Sequence, residues 1–358
     1  MDYSQDPSNF YHRPYVAADD RYKVHGYETL GKSGLSISRV SLGTWQNFSH
    51  LDSREKVMEL YLTAFDRGIF SFDFGNNYGR PPGSAESLFG EFLKGELQPY
   101  REELVVSTKA GYEMWPGPNG YGSSSKYLVT SLDASLKRMG LDYVDIFYSH
   151  RYDPSTPLEE VAEGLDFIRR SGRAIYLGVS SYPVNKFVAL NALLRERGSR
   201  LIVNQSNYSI FNNWADEQCL ATCREQGIGF AAFSPLAQGL LTDTFLTEKQ
   251  TFRSTQENSS LWANNLELVQ EAVHRLHGIA LRRGQTLAQL ALSWALRSET
   301  VNTVVIGART PEQIVDNTSN IVTEFDDDEL GEIAAATSGI DVDLWKKSRL
   351  PKEAGGSA

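Results

Sequence analysis

Cysteine is nearly absent from this 358-residue chain: Cys219 and Cys223 are the only two, four positions apart, which excludes a disulfide scaffold. No apolar run approaches the ~18 residues of a membrane span. The first two dozen residues, Met1–Gly26, are polar and rich in Asp, Tyr and Pro, without the apolar centre of a secretion signal. Basic charge is also in deficit, with 35 Lys and Arg against 45 Asp and Glu, a net charge of −10. Nothing in that balance favours nucleic acid or an anionic membrane as a partner. A soluble, cytoplasmic protein is expected, with residues 1–26 as a flexible arm or an oligomer contact and residues 341–358 as a tail.

What the chain does hold is a regular alternation. Strand-like runs cover Val40–Trp45, Ile69–Phe74, Leu104–Lys109, Tyr143–His150, Ala174–Ser181, Leu201–Tyr208, Ile228–Pro235 and Val301–Gly307. Between them lie segments rich in helix formers: Ser53–Arg67, Ser84–Leu93, Lys126–Met139, Pro157–Arg170, Val184–Arg197, Asn213–Gln226 and the long tract Asn264–Arg297. Eight such repeats predict an α/β fold, a (β/α)8 TIM barrel, over residues 27–340. Ahead of the first strand, Tyr27–Leu30 and Leu35–Arg39 flank a Gly-containing turn, the pattern of a hairpin that would plug the barrel bottom. Gly111–Ser125 and Leu236–Trp262 are too long for tight connections and read as functional loops.

Active sites of such barrels lie at the C-terminal strand ends. Asp73 ends the second run and is followed by Tyr78, Lys109 ends the third, and His150 ends the fourth. A carboxylate, a phenol, an ammonium and an imidazole on successive strands make a set that can deliver a proton. A neighbouring ammonium would lower the ~10 pKa of tyrosine, Asp73 would hold Lys109, and His150 would place a substrate oxygen. With no nucleophile beside a base, carbonyl reduction here requires a hydride from a cofactor, and a nicotinamide is the natural source.

The runs Phe72-Asp73-Phe74-Gly75-Asn76-Asn77-Tyr78-Gly79, Ser107-Thr108-Lys109 and Asp145-Ile146-Phe147-Tyr148-Ser149-His150 resemble the catalytic tetrad segments of the aldo-keto reductase superfamily. The stretches Gly79–Glu86 and Gly111–Pro118 look most like the branch of bacterial L-glyceraldehyde 3-phosphate reductases, related to the β subunits of voltage-gated potassium channels. The resemblance implies NADPH as cofactor, a small aldehyde as substrate (L-glyceraldehyde 3-phosphate or methylglyoxal-like), and a homo-oligomer, a tetramer or larger. It implies Gly43, Thr44 and Trp45 beneath the nicotinamide, Ser180 and Gln205 at its carboxamide, with Asp73 nearby, and Phe233 stacked on its ring. By the same resemblance Ser234, Leu236, Gln238 and Gly239 would cover the pyrophosphate, Arg253 would belong to the same lid, and Trp45, Trp115 and Arg151 would join Tyr78 and His150 around the substrate.

The last run leads into Gly307-Ala308-Arg309-Thr310-Pro311-Glu312-Gln313. Thr310 as N-cap, Pro311 at the first helical position and Gln313 as the far half of a capping box predict a helix whose free amides, with Arg309, suit a 2′-phosphate. Gln313, Asp316 and Asn317 match family positions around an adenine. The chain lacks the Pro-Lys-Ser run many members carry here, which leaves the preference for NADPH over NADH open.

Two other readings stand beside the reductase. A cofactor-occupied docking or redox-sensing module, as in the channel subunits, would turn over little. A metal-dependent hydrolase on Asp73 and His150 finds no support in a His-x-His pair, and Cys219/Cys223 and His274/His277 each lack further ligands nearby, so no metal is expected.

Overall fold

Each of the eight strand-like runs forms one strand of a single closed sheet, because each is a short, nearly continuous apolar stretch suited to burial on both faces. In the computed structural model, which describes residues 15–247 and 266–340, the barrel strands are β3 (Val40–Gly43), β4 (Ser71–Asp73), β5 (Val105–Ala110), β6 (Val144–Ser149), β7 (Ala174–Ser180), β8 (Leu201–Asn207), β9 (Gly229–Phe233) and β10 (Val301–Ile306). All neighbours are parallel, and β10 closes the ring between β9 and β3.

The helices outside the ring are α1 (Arg54–Asp66), α2 (Ser84–Lys94), α3 (Ser125–Met139), α4 (Leu158–Arg170), α5 (Val184–Glu196), α6 (Cys219–Gln226), α7 (Asp243–Thr247), α8 (Leu266–Arg282), α9 (Leu287–Ala295), α10 (Pro311–Ser319) and α11 (Asp327–Ala336). None of the described helices is long and apolar enough to cross a membrane. Ser53 caps α1 by accepting from the Lys56 amide, and Ser124 caps α3 by accepting from that of Tyr127. The tract 264–297, expected to be rich in helix, holds two helices, α8 and α9. Gly284 turns the chain with φ +64°, and Thr286 opens α9 with a reciprocal capping box to Gln289.

The hairpin is β1 (Tyr27–Thr29) paired antiparallel with β2 (Ser36–Ser38), and it closes the barrel bottom. The Lys32 amide bonds the Gly227 carbonyl at 2.9 Å, just before β9. Ser38 bonds Ser71, the first residue of β4, and Ser41 joins Ser71 at 2.6 Å and Thr303 at 2.7 Å, a hydroxyl floor inside the ring.

Residues 15–26, read from composition as part of a flexible arm or an oligomer contact, run along the chain's own barrel. The Tyr15 hydroxyl and the Ala18 amide both donate to Asp66 Oδ1, at 2.6 and 2.8 Å. Arg21 pairs with Glu103 at 2.5 Å. Residues 1–14 and 341–358 lie outside the described residues, as does Arg253, which was expected in the lid.

Candidate active site

The strand ends place Asp73, Lys109 and His150 as the alternation predicts, within one residue. Asp73 is the last residue of β4, Lys109 the next to last of β5, and His150 the first residue beyond β6. Successive strand residues face opposite sides, so Ser107 and Lys109 share the inner face of β5. Lys109 is fully buried and donates to Asp73 Oδ2 at 2.5 Å and to the Phe74 carbonyl at 2.8 Å. The other oxygen of Asp73 accepts from Ser107 Oγ and from Gln205 Nε2, each at 2.9 Å. Three donors from the ring strands therefore hold this carboxylate in place.

Tyr78 stands on the turn after β4, with its hydroxyl 3.5 Å from Lys109 Nζ and 3.4 Å from His150 Nε2. Its backbone is pinned to α2, since the Gly83 and Ala85 amides donate to the Tyr78 carbonyl. The His150 ring packs edge-on against Tyr112 at 4.6 Å, and its Nδ1 is buried without a partner. The Arg151 guanidinium lies over that tyrosine ring, 5.0 Å from its centroid.

Burial governs the charges. It pushes Lys109 below its usual range against the pull of Asp73, and it holds His150 well below 6.5, helped by Lys109 and Arg151. His150 is thus a neutral imidazole at pH 7, with one nitrogen to donate and one to accept. Tyr78 runs opposite to the sequence-based expectation that Lys109 lowers it. Burial and then the Asp73 carboxylate hold the phenol well above 10. The reason is geometric: Lys109 Nζ lies 2.5 Å from Asp73 Oδ2 and 3.5 Å from the Tyr78 hydroxyl, so the ammonium is engaged first by the carboxylate.

The residues expected around a cofactor occupy the complementary arc of the mouth. Gly43 ends β3 with Thr44 and Trp45 just beyond it, Ser180 ends β7, Gln205 lies in β8, Phe233 ends β9, and Gly307 and Arg309 follow β10. These five strands are consecutive in the closed ring, as are the three that carry the tetrad-like residues. Thr44 is fixed by bonds from its amide and hydroxyl to the Asp73 carbonyl. All six described non-glycine residues with positive φ (Asn47, Asn119, Ser181, Ser234, Ala237 and Gln238) fall in loops on this same face, and Gly239 continues that run after Leu236. Backbone strain gathered on one face marks a site built for a ligand. An arc with the positive-φ loop after β9 at one end, polar strand ends in the middle, and Arg309 beside a helix N-terminus could hold a long anionic dinucleotide.

Three details differ from the expected contacts. Gln205 gives its amide nitrogen to Asp73 rather than holding it free. Thr310 occupies the N-cap position of α10 with Pro311 in the first turn, but its side chain makes no capping bond and the capping box is not formed: Gln313 Oε1 accepts from the amide one residue further back, that of Arg309, at 2.8 Å. Asp316 accepts from Thr286 Oγ1 and Gln289 Nε2 and so ties α9 to α10, with Asn317 buried beside it. Trp45 and Trp115 are 43% and 47% exposed, both on the mouth loops. Asn204 Nδ2 lies 3.5 Å from Cys219 and 3.9 Å from Cys223. Among the described residues no cluster of His, Cys, Asp or Glu is placed to hold a metal ion.

Several residues the sequence reading did not single out complete the site. Ser107, which steadies Asp73, was legible from its place two residues before Lys109. Asn76, Tyr112 and Tyr127 form a polar link beside Tyr78 and His150, and nothing in the helical period of α3 distinguishes Tyr127 from a core residue. Glu86, wholly buried, accepts from Thr108 Oγ1 at 2.5 Å and pairs with Arg138 at 2.7 Å.

The aldo/keto reductase family model matches residues 39–338, the whole ring with its helices. The L-glyceraldehyde 3-phosphate reductase of Escherichia coli K12 is 44% identical over 342 residues, 93% of this chain and 99% of that protein. A probable voltage-gated potassium channel subunit beta of Arabidopsis thaliana is 35% identical over 300 residues, 81% of this chain and 89% of that protein, and a rice counterpart is 33% identical over the same shares. With the match spanning the barrel that carries the Asp73, Tyr78, Lys109 and His150 constellation, the chain belongs to the aldo/keto reductase family of oxidoreductases.

Proposed function

We propose that the protein reduces small aldehydes to alcohols with NADPH, Tyr78 supplying the proton. The observation that carries this reading is the Tyr78 hydroxyl set between Lys109 Nζ at 3.5 Å and His150 Nε2 at 3.4 Å, at the mouth of a barrel. The cofactor, when bound, supplies the hydride that no side chain can. Gly43–Trp45, Ser180, Gln205, Phe233, the loop from Ser234 to Gly239 and Arg309 would hold it.

The chain's own residues do the rest. Neutral His150 donates from its ring to the substrate carbonyl oxygen and sets it against the Tyr78 hydroxyl. Tyr78 gives its proton to that oxygen as negative charge grows there. The raised pKa keeps the phenol loaded at neutral pH, and the Lys109 ammonium, held by Asp73, stabilises the phenolate left behind. Trp45 and Trp115 wall off water at the rim. Arg151 offers an anionic substituent a cation, which supports L-glyceraldehyde 3-phosphate over methylglyoxal as the better substrate, in keeping with the name of the E. coli relative.

A second reading, a cofactor-occupied docking or sensing module, draws on the likeness to the plant channel subunits. Turnover separates the two. Purified protein should oxidise NADPH repeatedly with aldehyde present. Tyr78→Phe should lower kcat by about 10² to 10⁴ while leaving NADPH affinity near that of the wild type. A single slow cycle in the wild type favours the module, and full activity in Tyr78→Phe removes the proton-donor assignment.

A further inference from the structure

Tyr127, on the first turn of α3, is a core residue by burial, with none of its surface exposed, yet its hydroxyl is the hub of a polar link. It accepts from Asn76 Nδ2 at 3.2 Å and donates to the Tyr112 carbonyl at 2.6 Å. Asn76 belongs to the turn that carries Tyr78, and its amide is fixed to the Lys109 carbonyl at 2.9 Å. Tyr112 begins the long loop after β5, and its ring is the edge against which His150 packs. The same loop carries Trp115, whose ring meets the Tyr127 ring edge-on at 6.2 Å. One phenol thus joins the turn of the proton donor to the loop that backs the imidazole and forms the rim.

The loop needs that tie. Between Gly111 and Ser124 it has no regular structure and is held by few bonds of its own, the Met114 amide to the Gly120 carbonyl and the Gly122 amide to the Gly111 carbonyl among them. Asp153 anchors its far end through the Ser123 amide. At its near end the Tyr127 hydroxyl holds the Tyr112 carbonyl.

We propose that Tyr127 is a positioning residue for the reduction: by holding the Tyr112 carbonyl while receiving the Asn76 side chain, it keeps the rim loop and the His150 ring in register with Tyr78, and so sets how well an aldehyde is seated. The proposal rests on Tyr78 being the proton donor. Tyr127 touches neither substrate nor reacting atoms and acts through Tyr112.

Tyr127→Phe removes the hydroxyl and keeps the ring, so the core contacts remain. KM for methylglyoxal should rise about tenfold with a smaller fall in kcat, since a displaced seat weakens binding and alignment together. NADPH affinity and the far-UV circular dichroism spectrum should match the wild type. Amide exchange in the 111–124 peptide should quicken. A mere loss of folded protein would lower apparent kcat and leave KM where it was. Asn76→Ala cuts the same link from the other end, so it too should raise KM, and the double variant should be no worse than the poorer single one. The proposal fails if KM stays within twofold of wild type while Tyr78→Phe is inactive, if exchange in 111–124 is unchanged, or if the two losses multiply. If Tyr78→Phe is as active as wild type, the reading of the site falls first.

Discussion

His150 and Lys109 are both pushed toward their neutral forms by the same burial that gathers them, and the pH dependence of turnover follows from those two shifts and from Tyr78. The working state needs neutral His150, charged Lys109 and a protonated phenol. Because the imidazole is held well below 6.5, its protonation does not limit activity until the pH is well under that value. Because the phenol is held above 10 and Lys109 below 10.5, the alkaline limb belongs to Lys109. A plot of kcat/KM for reduction against pH should therefore be flat through 6.5 and neutrality and fall on the alkaline side below 10.5. An inflection near 6.5 would show an ordinary exposed histidine and overturn the assignment. At this scale the sequence was informative about identity and blind to sign. Asp73, Tyr78, Lys109 and His150 were legible because strand ends of a barrel converge and those residue types are costly to bury idly. The direction of the tyrosine shift was not legible, since desolvation depends on what packs around the ring. Likewise Glu86 and Tyr127 sit at ordinary helical positions, and only the fold reveals that they are buried against polar partners.

Helices α2 and α3 are bound to each other and to β5 by one charged contact, Glu86 to Arg138, with Thr108 as third member. Glu86 has no surface of its own, while Arg138 is partly exposed. Removing the cation leaves a carboxylate in the interior with a single hydroxyl donor. Arg138→Leu should therefore destabilise the protein by about 3 kcal/mol, the cost of an uncompensated buried charge. Thermal or urea unfolding reads that loss, and a change under 1 kcal/mol would mean water reaches Glu86. Since α2 starts just past Tyr78 and Thr108 precedes Lys109, activity near the unfolding midpoint should fall along with structure. Elements were read well wherever apolar pattern set them, and all eight barrel strands lie within their expected runs or one residue past them. Element ends were read less well. The position of the break at Gly284 is not marked within the helix-forming tract, because a glycine is a stop signal only when the chain actually turns. The N-terminal residues 15–26 looked unstructured by composition, but Tyr15, Ala18 and Arg21 find partners on α1 and before β5 that no local pattern announces.

Across the whole molecule the barrel separates its labours between two faces: strained loops and ionisable groups crowd the C-terminal mouth, while hydroxyls and a tight hairpin seal the other end. If chemistry resides at one face and stability at the other, a lesion at the bottom should cost folding and spare catalysis. Gly31 offers that lesion. It sits in the hairpin turn with φ +55°, and a Cβ placed on it would lie 2.5 Å from the Gly229 nitrogen and 2.7 Å from the Gly227 oxygen. Both obstacles are backbone at the entry to β9, so neither can swing aside as a side chain would. Gly31→Ala must then lift the plug or shift the strand, at a cost of about 2 kcal/mol or more from overpacking and left-handed backbone strain. Unfolding should move several degrees lower. Assayed well below that midpoint, kcat and KM should stay within about twofold of wild type, because β9 runs from the crowded turn toward Phe233 through four parallel pairings with β10 and five with β8 that hold its far end in register. A large fall in kcat at low temperature would instead mean that the bottom of β9 transmits its position to the mouth, and that the two faces of this barrel are mechanically one.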